Sequence, residues 1–179
     1  MKKGVAKVPV VMQMEALECG AACLAMVMAY YRKWVPLEQV RVDCGMSRDG
    51  SKAKNIVLAA PNHGFEVSAY SISSGALRKD AVCPCIIHWN FNHFVVLCGV
   101  KGDQAIISAP ARGTVKVTKE QLDEAFTGVY LEFTPGYSFV PSGKPRNTLN
   151  FYPAAAPGHG PRHGLCDADH DDQFPVRPH

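Results

Sequence analysis

The sequence predicts an α+β domain, with a helical N-terminal half packed on an antiparallel β-sheet C-terminal half. Three observations carry this. Apolar residues run nearly all round the helical segment at residues 19–31. Residues 65–133 break into short apolar and β-branched runs divided by Gly, Asn and Asp turns. Helical patterns come first and strand patterns second, instead of alternating as they do around a parallel sheet.

Taken in order, residues 19–31 predict a central buried helix, with Glu18 at its start, where negative charge is favoured. Pro36 opens a second, short helix that ends at Gly45. Ser51 is placed to cap a third over residues 52–60, which Pro61 and Gly64 terminate. Residues 65–72 alternate as a strand, and residues 75–79 read as a short helical turn. Strands follow at residues 83–89, 93–100 and 104–108, the last two joined by a Lys101-Gly102-Asp103 hairpin connection. Residues 114–117 form a further strand. Thr118 caps a helix over residues 119–126, with Glu120 and Gln121 near the capping-box position. Residues 129–133 close the sheet. The domain (residues 1–141) is expected to end near Pro141. Residues 142–179 show no apolar periodicity and read as a disordered tail without a domain.

Composition excludes several classes. A net charge of +3, with basic residues scattered, argues against a nucleic-acid partner or an anionic membrane surface. The longest apolar run, residues 21–31, is shorter than the ~18 residues of a bilayer helix. The Met1-Lys2-Lys3 start lacks the apolar core of a signal peptide, so a cytoplasmic location is expected. The seven cysteines sit mostly in apolar segments and are expected to be reduced, most of them as small core residues.

Among them Cys19 stands apart. It lies where a loop turns into the apolar helix, so that unpaired backbone N–H groups would stabilise a thiolate, and Gly20 lets a substrate backbone approach. Cys23, one turn further in, reads as structural. Gln13, in the lead-in, is placed to donate to a developing oxyanion together with the Cys19 N–H. His93 opens a hydrophobic strand after a polar turn and is the candidate base for a thiolate–imidazolium pair. His88 is the rival and is expected to pack or hydrogen-bond locally.

The segment from Gln13 through Glu18-Cys19-Gly20 to Met26 resembles the active-site motif of the double-glycine cysteine peptidases that process bacteriocins, the N-terminal domains of peptidase-containing ABC exporters. Asn92-His93-Phe94-Val95-Val96 resembles that family's histidine motif. Trp34-Val35-Pro36-Leu37-Glu38, Cys44-Gly45-Met46-Ser47-Arg48-Asp49-Gly50 and Phe126-Thr127-Gly128-Val129 are similar to the branch that matures lanthipeptides and nitrile-hydratase-leader peptides. The likeness runs in order over residues 8–141. It implies a papain-like fold and a cytosolic thiol protease, needing no cofactor, that cuts a leader peptide after Gly-Gly or Gly-Ala. Carried over by position, Cys19 attacks the carbonyl, His93 takes and returns the proton, and Gln13 holds the oxyanion. The implied partners are a precursor's leader peptide and, in relatives, the exporter's membrane and nucleotide-binding domains; the isolated domain is expected to be a monomer.

One departure bears on chemistry. Where the family has Asp-Pro-Ala-x-Gly, this chain reads Ala109-Pro110-Ala111-Arg112-Gly113, so the third triad position carries no carboxylate. Loss of the group that orients the imidazole costs about 10⁴ in a serine protease, and weakened activity is expected here. Ser108 should point to the opposite face of its strand and Asp103 lies at the far end, so neither replaces it. The alternative class is a degenerate module that binds leaders without cutting. A zinc site built from Cys83, Cys85, His88 and His93 lacks zinc-finger spacing, and His159, His163, Cys166 and His170 lack a scaffold, so no metal is expected. No Walker-type motif or membrane span follows the domain in this sequence; a truncated or frame-shifted exporter gene, or an appended segment, is the expected origin of the tail.

Overall fold

The structure, a computed structural model, describes residues 4–45, 50 and 52–145. After an extended lead-in and a 3-10 turn (Ala16–Glu18) comes helix α1 (Cys19–Tyr30), followed by α2 (Leu37–Asp43) and α3 (Ala53–Ala59). Then come β1 (Phe65–Ser71), α4 (Ser74–Asp80), β2 (Cys85–Trp89), β3 (His93–Lys101), β4 (Gln104–Ala109), β5 (Gly113–Val117), α5 (Lys119–Ala125) and β6 (Phe126–Pro135). The six strands form one sheet in the order β1-β6-β2-β3-β4-β5, every pair antiparallel. The predicted α+β class holds.

Each sheet face carries its own core. On β2 and β3, Ile86, Phe94 and Val96 turn to α1, packing with Leu24, Met26 and Met28. Their alternates Ile87, Val95 and Leu97 turn the other way, toward Leu77 of α4 and Leu122 of α5. With both faces covered, these strands read as continuous apolar runs. The same logic explains α1: every residue from Cys19 to Ala29 is buried, so no polar face appears in its sequence.

The ends of elements follow backbone chemistry. Pro61 lies within a 3-10 turn (Ala60–His63), and Gly64 stops it at φ +84°. A Cβ there would meet Phe139 Cα at 2.8 Å, so glycine is required for both conformation and space. Thr118 and Gln121 form the capping box of α5 reciprocally, Thr118 N donating to Gln121 Oε1 (2.9 Å) and Gln121 N to Thr118 Oγ1 (3.3 Å). Ser73, not anticipated as a cap, accepts from Ala76 N at 3.2 Å and lengthens the expected turn into α4. The proposed Ser51 cap lies outside the described residues, as do residues 146–179. At the end of the described chain, Ser142 bonds Trp34 and Arg32 through its backbone (2.7 and 3.2 Å).

Candidate active site

The lead-in is pinned to the sheet at two points. Ala6 N donates to Cys98 O (2.8 Å), and Gln13 N donates to Pro110 O (3.1 Å) in the β4–β5 turn. Beyond Gln13 the chain curls through the 3-10 turn into α1. Glu18 closes the curl: it is 1% exposed, and its Oε2 accepts from Met14 N (2.8 Å) and Glu15 N (3.1 Å). Its Oε1 faces Arg41 Nη1 of α2 at 2.9 Å, as an ion pair without hydrogen-bond alignment. The other guanidinium nitrogen reaches Glu15 at 3.9 Å. Cys19 follows directly as the first residue of α1, at its N-terminus, and is 3% exposed.

The other thiols of the core behave as structural groups. Burial raises Cys23 well above the ordinary thiol range, with the neighbouring Cys19 and Cys98 adding to it. Burial likewise pushes Cys44 up to about 11 and Cys98 up to about 12, with Asp43 and Cys83 respectively contributing. Protonated thiols at those values are poor nucleophiles at neutral pH.

His93 is the first residue of β3, paired with Trp89 across the turn Asn90-Phe91-Asn92. Asn90 and Phe91 both take positive φ, at +48° and +60°. Asn90 N is anchored to Ala125 O (2.8 Å) and Asn92 N to Trp89 O (3.3 Å), which ties the turn to α5. The His93 ring is half-buried, and no hydrogen bond engages it among the described residues. Burial lowers its pKa from 6.5, with Arg112 and His88 contributing in that order. Its surroundings therefore favour the neutral imidazole, able to accept a proton but not helped to keep it. His88 is engaged elsewhere, its Nδ1 2.8 Å from Thr127 Oγ1 and its ring 4.8 Å from that of Phe94, as expected of a locally bonded residue.

Ala109 ends β4 opposite Gly113 and is 7% exposed. Arg112 N bonds back to Ala109 O (3.1 Å), closing the turn. Ser108 is fully buried with its hydroxyl 3.4 Å from Thr114 Oγ1. Asp103, at the far hairpin, reaches Arg78 at 3.4 Å. Gln13, His93 and Ala109 share a cleft of about 650 Å³ whose walls include Arg112, Gln121 and Glu124. The Gln13 side-chain Oε1 is buried without a hydrogen-bond partner among the described residues. Cys19 is outside that lining; it follows the Glu18 loop at the N-terminus of α1.

Two residues escaped the sequence reading. Arg112 lies within the segment already singled out, and a cation three residues from the third triad position was a usable signal. Arg41 gave none, because its partner Glu18 lies 23 positions away on another element. Of the residues weighed for metals, Cys83, Cys85, His88 and His93 belong to no cluster of three or more His, Cys, Asp or Glu among the described residues. His159, His163, Cys166 and His170 lie outside the described residues. No helix among the described residues is long and apolar enough to cross a membrane.

Residues 7–138 match the peptidase C39 family. The chain is 39% identical over 133 residues to the colicin V secretion/processing ATP-binding protein CvaB of Escherichia coli, covering 74% of this chain and 19% of that protein. It is 29% identical over 150 residues to the lactococcin-G-processing and transport ATP-binding protein LagD of Lactococcus lactis subsp. lactis, covering 80% and 21%. The chain thus spans about a fifth of the length of these curated relatives. Among solved structures, a double glycine motif protease from an AMS/PCAT transporter, in complex with the leader peptide, is 63% identical with a TM-score of 0.73, covering 74% of this chain and 95% of that one. The peptidase domain of Streptococcus ComA is 27% identical with a TM-score of 0.67, covering 70% and 97%.

Proposed function

The chain belongs to the peptidase C39 family, and on that footing we propose that it is a cysteine endopeptidase removing leader peptides from bacteriocin or lanthipeptide precursors after a Gly-Gly or Gly-Ala doublet. The observation that carries the reading is the convergence of two segments. β3 delivers His93 to the same cleft as Gln13, and the loop that follows Gln13 ends at Cys19, the first residue of α1.

In this reading Cys19 Sγ attacks the carbonyl carbon of the residue before the cut. The oxyanion is met by the Gln13 amide and the Cys19 backbone N–H. His93 first takes the thiol proton and then gives it to the leaving amine, which frees the peptide; water, deprotonated through His93, releases the leader from the thioester. Two small residues before the cut suit a sulfur reached only through a narrow approach, since Cys19 is 3% exposed. We place the reaction on the cytosolic side of the membrane, as in exporter-linked relatives, with the leader as partner and the domain acting as a monomer.

The test is incubation with a precursor carrying a Gly-Gly leader, read by mass spectrometry. Cleavage at the doublet that disappears in Cys19→Ala supports the reading; cleavage that persists overturns it. A second reading, recruitment of leaders without cutting, is favoured by Ala109 together with Arg112 beside His93. Under that reading the precursor binds and stays intact at long incubation.

A further inference from the structure

A buried carboxylate beside a nucleophile needs an explanation, because taking its charge out of water costs several kcal/mol unless its partners are good. Glu18 is 1% exposed, and its partners come from its own loop and from α2. Oε2 accepts from two consecutive backbone N–H groups, Met14 at 2.8 Å and Glu15 at 3.1 Å. Two such donors aimed at one oxygen form an anion-binding concavity, here filled by the chain's own side chain. Oε1 meets Arg41, whose fork spans Glu18 (2.9 Å) and Glu15 (3.9 Å) and ties the loop to α2. The residue just before the closed loop is Gln13, and the residue just after it is Cys19. The loop is therefore the segment of chain that joins those two residues. Outside it, the hydrogen bond that holds Gln13 among the described residues is its N–H to Pro110 O.

We propose that Glu18 is a positioning residue for the oxyanion-binding half of the site: its carboxylate, countered by Arg41, fixes Gln13 relative to Cys19. The proposal rests on the roles given to Gln13 and Cys19 above. An oxyanion donor acts only when it sits within hydrogen-bond distance of the oxygen in the transition state, so loosening the loop acts on kcat and leaves substrate binding largely alone.

The experiment is a double-mutant cycle on cleavage of the Gly-Gly precursor with wild type, Gln13→Ala, Glu18→Gln and the double variant. Gln13→Ala lowers kcat by about 10²–10³. Glu18→Gln keeps shape and lowers kcat by about 10–100-fold with KM changed by less than about threefold. In the Gln13→Ala background the Glu18→Gln step costs less than about threefold, because no donor remains to be positioned. Arg41→Lys, which keeps the charge and loses the fork, repeats the pattern at roughly three- to tenfold in kcat and carries the cycle if Glu18→Gln does not fold. Alkylation of Cys19 by iodoacetamide needs no oxyanion, so its rate in Glu18→Gln stays within about threefold of wild type.

Full multiplication of the two losses overturns the proposal, as does an unchanged kcat or an alkylation rate that falls in step with cleavage. Failure of the parent reading looks different: wild type does not cut, or Cys19→Ala still does, and the positioning role then falls with it.

Discussion

The nucleophile side and the base side of the candidate site are built to different standards. Around Cys19, a buried carboxylate, two backbone donors and a guanidinium hold the approach to α1. Around His93, the ring meets no hydrogen-bond partner among the described residues, Ala109 offers no acid, and Arg112 adds a cation. The two sides use different physics. The first is local, closed within six residues of chain and anchored by one helix; the second depends on a group delivered from a neighbouring strand. Position 109 bears on the second and not on the first, so a change there acts on orientation and charge at the imidazole and leaves the thiol's surroundings as they are.

That asymmetry can be tested by breaking the better side and repairing the worse. The largest effect is expected from Cys19→Ala, which takes cleavage to background, at least about a 10³-fold loss in kcat/KM. Restoring the acid with Ala109→Asp is expected to raise kcat/KM by about 10–100-fold, less than the 10⁴ seen when a serine protease loses its acid. No gain, measured on the same precursor, would mean that another group already orients His93. Arg112→Gln removes a cation that disfavours the imidazolium, so the acid limb of the pH–rate profile moves toward higher pH. Its effect on rate at neutral pH is expected to be only about two- to fivefold. An acid limb that stays in place would remove Arg112 from the account.

The smallest effect is on stability. His93 and His88 are both lowered from 6.5 in the folded chain, each chiefly by burial. The unfolded chain therefore binds protons first as pH falls. Their contribution is fully present above about 6.5 and is lost as pH drops through the lowered folded values. Urea midpoints at pH 7.5 and 5.5 should differ, and His93→Gln should narrow the gap; an unchanged gap would place the acid sensitivity elsewhere.

Much of this was legible in the sequence because it was local. The all-round apolar segment at residues 19–31 announced α1, short only by Tyr31, which caps the helix. Thr118 and Gln121 announced α5. Strand ends were less legible. β2 begins at Cys85, two residues later than expected. β6 runs from Phe126 to Pro135, well beyond the expected 129–133, because it pairs with β1 along one edge and β2 along the other. Gly128 carries no strand signal of its own and masks the strand that starts before it. At the site, the absence of an acid at Ala109 could be read from one position, whereas the Arg41–Glu18 pair could not, since nothing in residue type announces which helix a guanidinium will reach.

The β4–β5 turn that carries Ala109 remains fully assembled. Ala109 pairs with Gly113, and the next residue, Pro110, still lends its carbonyl to Gln13. The turn is therefore a finished frame at the edge of the cleft, whatever side chain position 109 carries. A carboxylate introduced at this strand end would enter the cleft that holds His93 without disturbing the backbone bond that carries Gln13.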